Sequence, residues 1–280
     1  MFQPVIPASG FLGLQVLRGT YDRQFEAFSN SAEIQRNVDY FRENAGSFLT
    51  AEDLVNDRRA LEVTLGAFGL GSEIDKKALI QKLIEEGTSD PEALANRFAD
   101  TRFREFVDGV GYLEGAGFNF VIEEKREEII DRYTLLQFEE AVGAVDDDIR
   151  LALNFEREIQ EIAGRDSSDE TKWLLALGSG PIRSVLDTAF NLPSQFAQID
   201  IDQQVEVYRE KAQDLFGADT ADIFQDPANV ETVVRRFMAL QAANAGPSAL
   251  TPGAGAVTLL SGAGGLGAAS QINLILSNAG

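Results

Sequence analysis

Apolar residues recur at helical spacing along most of the chain, and each run ends at a cap or a break. Leu14, Leu17, Tyr21, Phe25 and Phe28 fall along one side of the stretch from Phe11 to Phe28, the pattern of an amphipathic helix. Before it, Pro4, Pro7 and Gly10 oppose helix, so residues 1–10 read as an extended lead-in. Ser31 to Asn44 predicts a second helix carrying Ile34, Val38 and Phe41. Thr50-Ala-Glu-Asp53 places a hydroxyl three residues before a carboxylate, close to a capping box. Leu61, Val63, Leu65 and Phe68 follow, and Gly69 and Gly71 end that helix, because glycine tolerates the left-handed turn beyond a C-terminus. Ile74, Leu79, Ile80, Leu83 and Ile84 mark the next helix, closed by Gly87. Asp90-Pro91 predicts a further start, with a carboxylate at the cap and proline at the first position. Asp100 reads as the cap of a helix with Phe103, Phe106 and Val107.

The second half repeats the style. Gly109 to Asn119 holds four glycines in eleven residues and reads as a linker. Ile122 to Val142 predicts a helix whose charged run, Glu123 to Glu128, is a solvated face with i,i+4 pairs. Asp146-Asp-Asp148 starts a helix at its positive end, carrying Ile149, Leu153, Phe155 and Ile159 and ending near Gly164. Asp166-Ser-Ser-Asp169 caps a helix holding the single tryptophan, Trp173, on its core face. Gly178-Ser-Gly-Pro181 breaks the chain again. The expectation is all-α, with almost no sheet.

Two quartets look alike: Ala67-Phe68-Gly69-Leu70 and Ala189-Phe190-Asn191-Leu192. So do Phe98-Ala-Asp100 and Phe224-Gln-Asp226. We read them as an internal duplication of a helical unit. The boundaries expected are an N-terminal unit over 1–108, a linker and connecting helix over 109–145, a second copy over 146–243, and a tail over 244–280. Phe68, Phe98, Phe190 and Phe224 are expected in the core, since each sits where an apolar helix face meets a turn.

The tail differs in kind. No charged residue follows Arg236, and Gly and Ala dominate. A solvated disordered tail is usually polar and charged. Here Leu259, Leu260, Ile272, Leu274 and Leu276 form two apolar runs. They are expected to dock on the protein's own helices or on a partner.

Composition narrows the chemistry. The chain has 280 residues, enough for a substantial core, and a net charge of −21. That charge repels nucleic acid and anionic membranes. It contains no cysteine and no histidine, which removes disulfides, thiolate sites and the commonest general base and metal ligand. No apolar run approaches the roughly 20 residues of a membrane helix, and the N-terminus lacks the basic leader and long apolar core of a cleavable signal. Gly262, Gly264 and Gly267 spell G-x-G-x-x-G, but only 13 residues follow and none is acidic. A dinucleotide fold needs a helix, a second strand and an acidic residue beyond that motif. No cofactor, metal, small-molecule substrate or catalytic residue is therefore expected. Paired carboxylates such as Asp146 to Asp148, Asp200 and Asp202 keep a carboxylate-based enzyme as a remote alternative.

Several stretches together resemble a known group: Pro4-Val-Ile-Pro-Ala-Ser-Gly10, Thr20-Tyr-Asp-Arg-Gln-Phe25, Ala67 to Leu70, and Phe98 to Phe106. They are similar to an all-helical bacterial family of unknown function, often encoded beside flagellar genes and sometimes present in more than one copy per chain. The resemblance covers most of residues 4–245 and leaves out the tail. It implies a flagellum-associated structural, assembly or export-accessory protein, with a flagellar component or another copy of itself as partner. The alternative is a cytoplasmic binding module or chaperone for an export substrate. Localisation is accordingly expected at the flagellum or in the cytoplasm.

Overall fold

The computed structural model describes residues 2–244, and these contain thirteen α-helices, five short 3₁₀ turns and no strand. An extended lead-in runs back along the first helix, where Val5 exchanges hydrogen bonds with the Gln24 side chain. The N-terminal helices are α1 (Gly10–Ser29), α2 (Ala32–Asn44), α3 (Ala51–Asn56), α4 (Arg58–Gly66), α5 (Lys77–Glu86), α6 (Leu94–Arg97) and α7 (Arg102–Val110). Two long helices follow, α8 (Glu123–Gly143) and α9 (Asp147–Ala163). The rest are α10 (Asp169–Gly178), α11 (Gly180–Ala189), α12 (Ile201–Phe216) and α13 (Pro227–Asn244). The five apolar tail residues Leu259, Leu260, Ile272, Leu274 and Leu276 lie outside the described residues.

Local chemistry explains the starts and stops. Thr50 and Asp53 close a full capping box at α3, satisfying two backbone donors that a helix start leaves open. Asp57, at the end of α3, caps α4 through the Ala60 N–H at 2.9 Å. Asp146 accepts from Ile149 at the head of α9, and Ser168 accepts from Thr171 at the head of α10. Three expectations change. The one helix expected from Thr50 to Phe68 breaks at the extended Asp57 into α3 and α4. Asp90-Pro91 does not open a helix; Asn96 donates to the carbonyls of Thr88 and Asp90, so the chain closes into a turn and α6 has only four residues. The Gly109 to Asn119 stretch is an anchored loop rather than a free linker. Helix α7 continues to Val110, Leu113 and Gly117 bridge, and Phe118 and Phe120 are buried.

Packing is continuous. One apolar core extends from Leu14 to Met238. Helix α8 is its spine, lying against α4 on one side and α9 on the other. Phe41 and Phe120 meet at 5.2 Å in the N-terminal half. In the C-terminal half Trp173 sits edge-on to Tyr208 and Phe224.

The two alike quartets fold into the same turn. Gly69 takes φ +67° and Asn191 φ +55°, the latter the one non-glycine with positive φ among the described residues. Leu70 N–H donates to Leu65 O at 2.9 Å, and Leu192 N–H donates to Asp187 O at 2.8 Å. Each is the six-residue closure of a Schellman motif. The Phe-x-Asp turns also correspond: Asp100 accepts from the N–H of Arg102, and Asp226 from that of Ala228. Helix lengths differ, with 9 residues in α7 and 18 in α13.

Candidate functional site

A cleft of about 490 Å³, lined by both polar and apolar groups, opens where the end of α4 and the start of α7 face α8, α9 and the α10–α11 junction. Two helical stripes line it. On α8 they are Arg132, Leu136, Glu139 and Gly143; on α9 they are Asp147, Arg150, Asn154 and Glu158. Steps of three and four residues put each set on one face. Gly143 leaves room for the Arg150 side chain, since a Cβ there would lie 2.5 Å from Arg150 Cδ.

The positive groups of the cleft are already engaged. Arg132 donates to Glu105 at 2.9 Å and stacks over the Phe68 ring at 4.6 Å. Arg150 donates to Asp147 at 2.7 Å. Arg102 holds Asp100 and the Gly69 carbonyl, both at 2.7 Å. Burial works against the Asp100 charge, but the Arg102 side-chain and backbone hydrogen bonds hold its carboxyl below the usual range.

The negative groups are less fully compensated. Glu139 is buried at 5% exposure and grips Arg157 through both oxygens, each at 3.1 Å. Burial pushes its carboxyl above the usual carboxylate range, although Arg157 pulls the other way. Glu158 accepts from Asn154 at 2.8 Å and Ser179 at 3.3 Å, and sits 3.4 Å from the same Arg157. One guanidinium thus serves two carboxylates. Both Glu139 oxygens are spent on a fixed ion pair, which suits a structural role better than proton transfer.

Asn154 is 6% exposed, and its Oδ1 has no partner among the described residues; neither has the buried Nε of Arg132. The orientation of the Asn154 amide follows from its neighbours: the carboxylate of Glu158 demands the NH₂. The carbonyl oxygen is therefore the end left over.

The four predicted core phenylalanines divide between the halves. Phe68 lines the cleft floor, edge-on to Phe106 and seated on Gly109. Phe190 is buried against Tyr208. Phe224 is fully buried among Phe155, Trp173 and Phe216. Phe98 is only half-buried, its ring 4.7 Å from Phe103; the four-residue α6 is too short to bring a covering face over it. Glu139, Asn154 and Glu158 escaped notice in the sequence. Only Asn154 carried a signal, a polar residue between the apolar Leu153 and Phe155; Glu139 and Glu158 sit among other charged residues and look like ordinary surface acids.

A second feature lies on the surface. Phe118 and Phe120, stacked at 4.7 Å, pin the loop after α7 to the core. Around them Leu113, Val121 and Ile122 are 68%, 44% and 57% exposed, and neighbouring Leu49 is 63% exposed. A Cβ on Gly117 would contact Leu49 Cα at 3.8 Å, so the two segments touch.

Fold and surface together define an all-α, single-core, acidic helical protein. The chain belongs to the family described as Protein of unknown function (DUF1217), whose profile matches residues 67–230. The crystal structure of protein AGR_C_984 from Agrobacterium tumefaciens is similar to it, at 25% identity with a TM-score of 0.67, over 85% of this chain and 97% of that one. That coverage exceeds residues 67–230, so the likeness in fold extends beyond the family match. No curated protein matches the chain.

Proposed function

We propose that this protein is a non-catalytic, flagellum-associated assembly or export-accessory protein that works by binding another protein. The observation that carries the reading is the anchored loop after α7. Four large apolar side chains, Leu49, Leu113, Val121 and Ile122, are held out to solvent on a chain of net charge −21. Clustered exposure of large apolar side chains marks contact sites, and two buried phenylalanine rings fix this loop in place, lowering the ordering cost of binding. The uncharged tail with its two apolar runs supports the same reading. The flagellar setting rests on the resemblance of Pro4 to Phe25 and Ala67 to Phe106 to proteins encoded beside flagellar genes.

The test is fractionation of flagellated cells into cytoplasm, sheared filaments and basal bodies, with immunodetection of the wild-type chain and of Leu113→Glu/Ile122→Glu. Co-fractionation of the wild type with a flagellar structure, lost in the double variant, is expected. A protein confined to the cytoplasm, with motility unchanged on its deletion, would overturn the proposal.

A further inference from the structure

The cleft between the α8 and α9 stripes is a different surface from the apolar loop, and its chemistry can be read separately. In its lining stands a buried acceptor with nothing to accept, Asn154 Oδ1; the one buried donor left over there, Arg132 Nε, belongs to a guanidinium already held by Glu105 and the Phe68 ring. An unsatisfied buried polar atom costs roughly 1–3 kcal/mol, and the volume of about 490 Å³ far exceeds one water's need. It falls in the range of ligand pockets. The charges around that acceptor have a definite sign. Arg132 and Arg150 are each neutralised by a carboxylate of the cleft, Glu105 and Asp147. Arg102 is neutralised by Asp100. What is left is Glu139, Glu140 and Glu158 against Arg157 and Arg165, the latter 3.9 Å from the Glu105 that Arg132 already holds, an excess of one negative charge. An incoming group should therefore donate hydrogen bonds and carry positive charge.

We propose that this cleft binds a guanidinium or ammonium group, with Asn154 Oδ1 as hydrogen-bond acceptor and Glu158 and Glu140 as countercharges. The group belongs either to an arginine or lysine side chain of a protein partner or to a free amine. A guanidinium matches best, because its planar fork can reach the amide oxygen and a carboxylate together.

Calorimetric titration of the full chain tests this with butylguanidinium, its neutral counterpart butylurea, and a short arginine-containing peptide. Saturable one-site binding of the cation is expected, with butylurea at least about tenfold weaker, equivalent to about 1.4 kcal/mol. Asn154→Ala and Glu158→Gln should each weaken it by a similar factor, while Glu206→Gln, an exposed acid on α12, should leave it unchanged. The Glu158→Gln variant keeps the side-chain shape, so it decides the matter if Asn154→Ala fails to fold. Tight peptide binding with weak butylguanidinium binding assigns the site to a protein partner; equal affinities assign it to a free amine. Non-saturable binding, equal binding of butylurea, or indifference to both cleft substitutions would overturn the proposal and leave Asn154 to an ordered water. None of these outcomes depends on the exposed apolar loop, so this site and the proposed function fail independently.

Discussion

At the scale of single residues, the left-handed turn position offers a paired test. Gly69 and Asn191 occupy it in the two alike quartets. A Cβ at Gly69 meets no hard obstacle, its nearest neighbour being Arg102 Nη1 at 3.5 Å. Gly69→Ala should therefore cost only the conformational penalty, about 1–2 kcal/mol, while Asn191→Gly should be neutral or slightly stabilising because asparagine tolerates the region less well than glycine. Urea unfolding of both variants checks this; equal losses would mean that the turns are held by something other than backbone conformation. The core phenylalanines grade in the same way. Phe224→Ala is expected to cost about 3–5 kcal/mol and the half-buried Phe98→Ala clearly less. The sequence disclosed such residues unevenly. The capping box at Thr50 and Asp53 was legible because both partners lie within one turn. The cleft was not, because Arg157, Glu139 and Glu158 meet only when two helices pack, and the same letters on a helix surface would be ordinary solvated charge.

At the scale of elements, the α8–α9 pair depends on the Arg157 ion pair. Removing one partner of a buried pair leaves a charge without compensation. Arg157→Met should cost about 3–5 kcal/mol at neutral pH. Glu139 already has a raised folded-state carboxyl, so its contribution is fully present below the unfolded value and is lost as pH rises through the folded one. Without Arg157 the upward shift grows. The variant should therefore recover stability on acidification more steeply than the wild type, and Glu139→Gln should relieve it at neutral pH. A variant with the wild-type pH slope would show that Glu139 finds another partner. The same scale decides the repeat. The quartets share their turn, and the Phe-x-Asp segments share theirs, so superposing residues 50–108 on 168–236 should align both pairs of phenylalanines. Unrelated helix directions would reject common descent of the two stretches. Most helices up to Trp173 were readable, since caps and spacing are local, while α11, α12 and α13 were expected only as a second copy of the N-terminal unit. The failure at Asp90-Pro91 came from Asn96, whose side chain reaches back to two carbonyls and competes with helical hydrogen bonding.

At the scale of the whole molecule, 45 acidic residues face 24 basic ones. Self-repulsion follows, and screening should relieve it. Raising salt from about 0.02 M to about 0.3 M should raise the melting temperature; a fall would mean that specific ion pairs outweigh the general field. Truncation after Ala245 should leave the helical body folded by circular dichroism, because the core closes at Met238. Under the proposed function the same truncation should abolish association with the flagellum. Charge and composition made these expectations available before any fold was known, whereas the continuity of the core through α8 was not, since no local pattern says which helices meet. That continuity bears on cooperativity. Trp173, the single tryptophan, is fully enclosed in the C-terminal half and donates to the Asp219 carbonyl. Its fluorescence reports the wetting of that half alone, while far-UV ellipticity averages every helix. Coincident midpoints in urea mark one melting unit spanning both halves, and separated midpoints mark two, so a side chain enclosed by packing serves as a built-in optical gauge of how far α8 couples the two ends of the molecule.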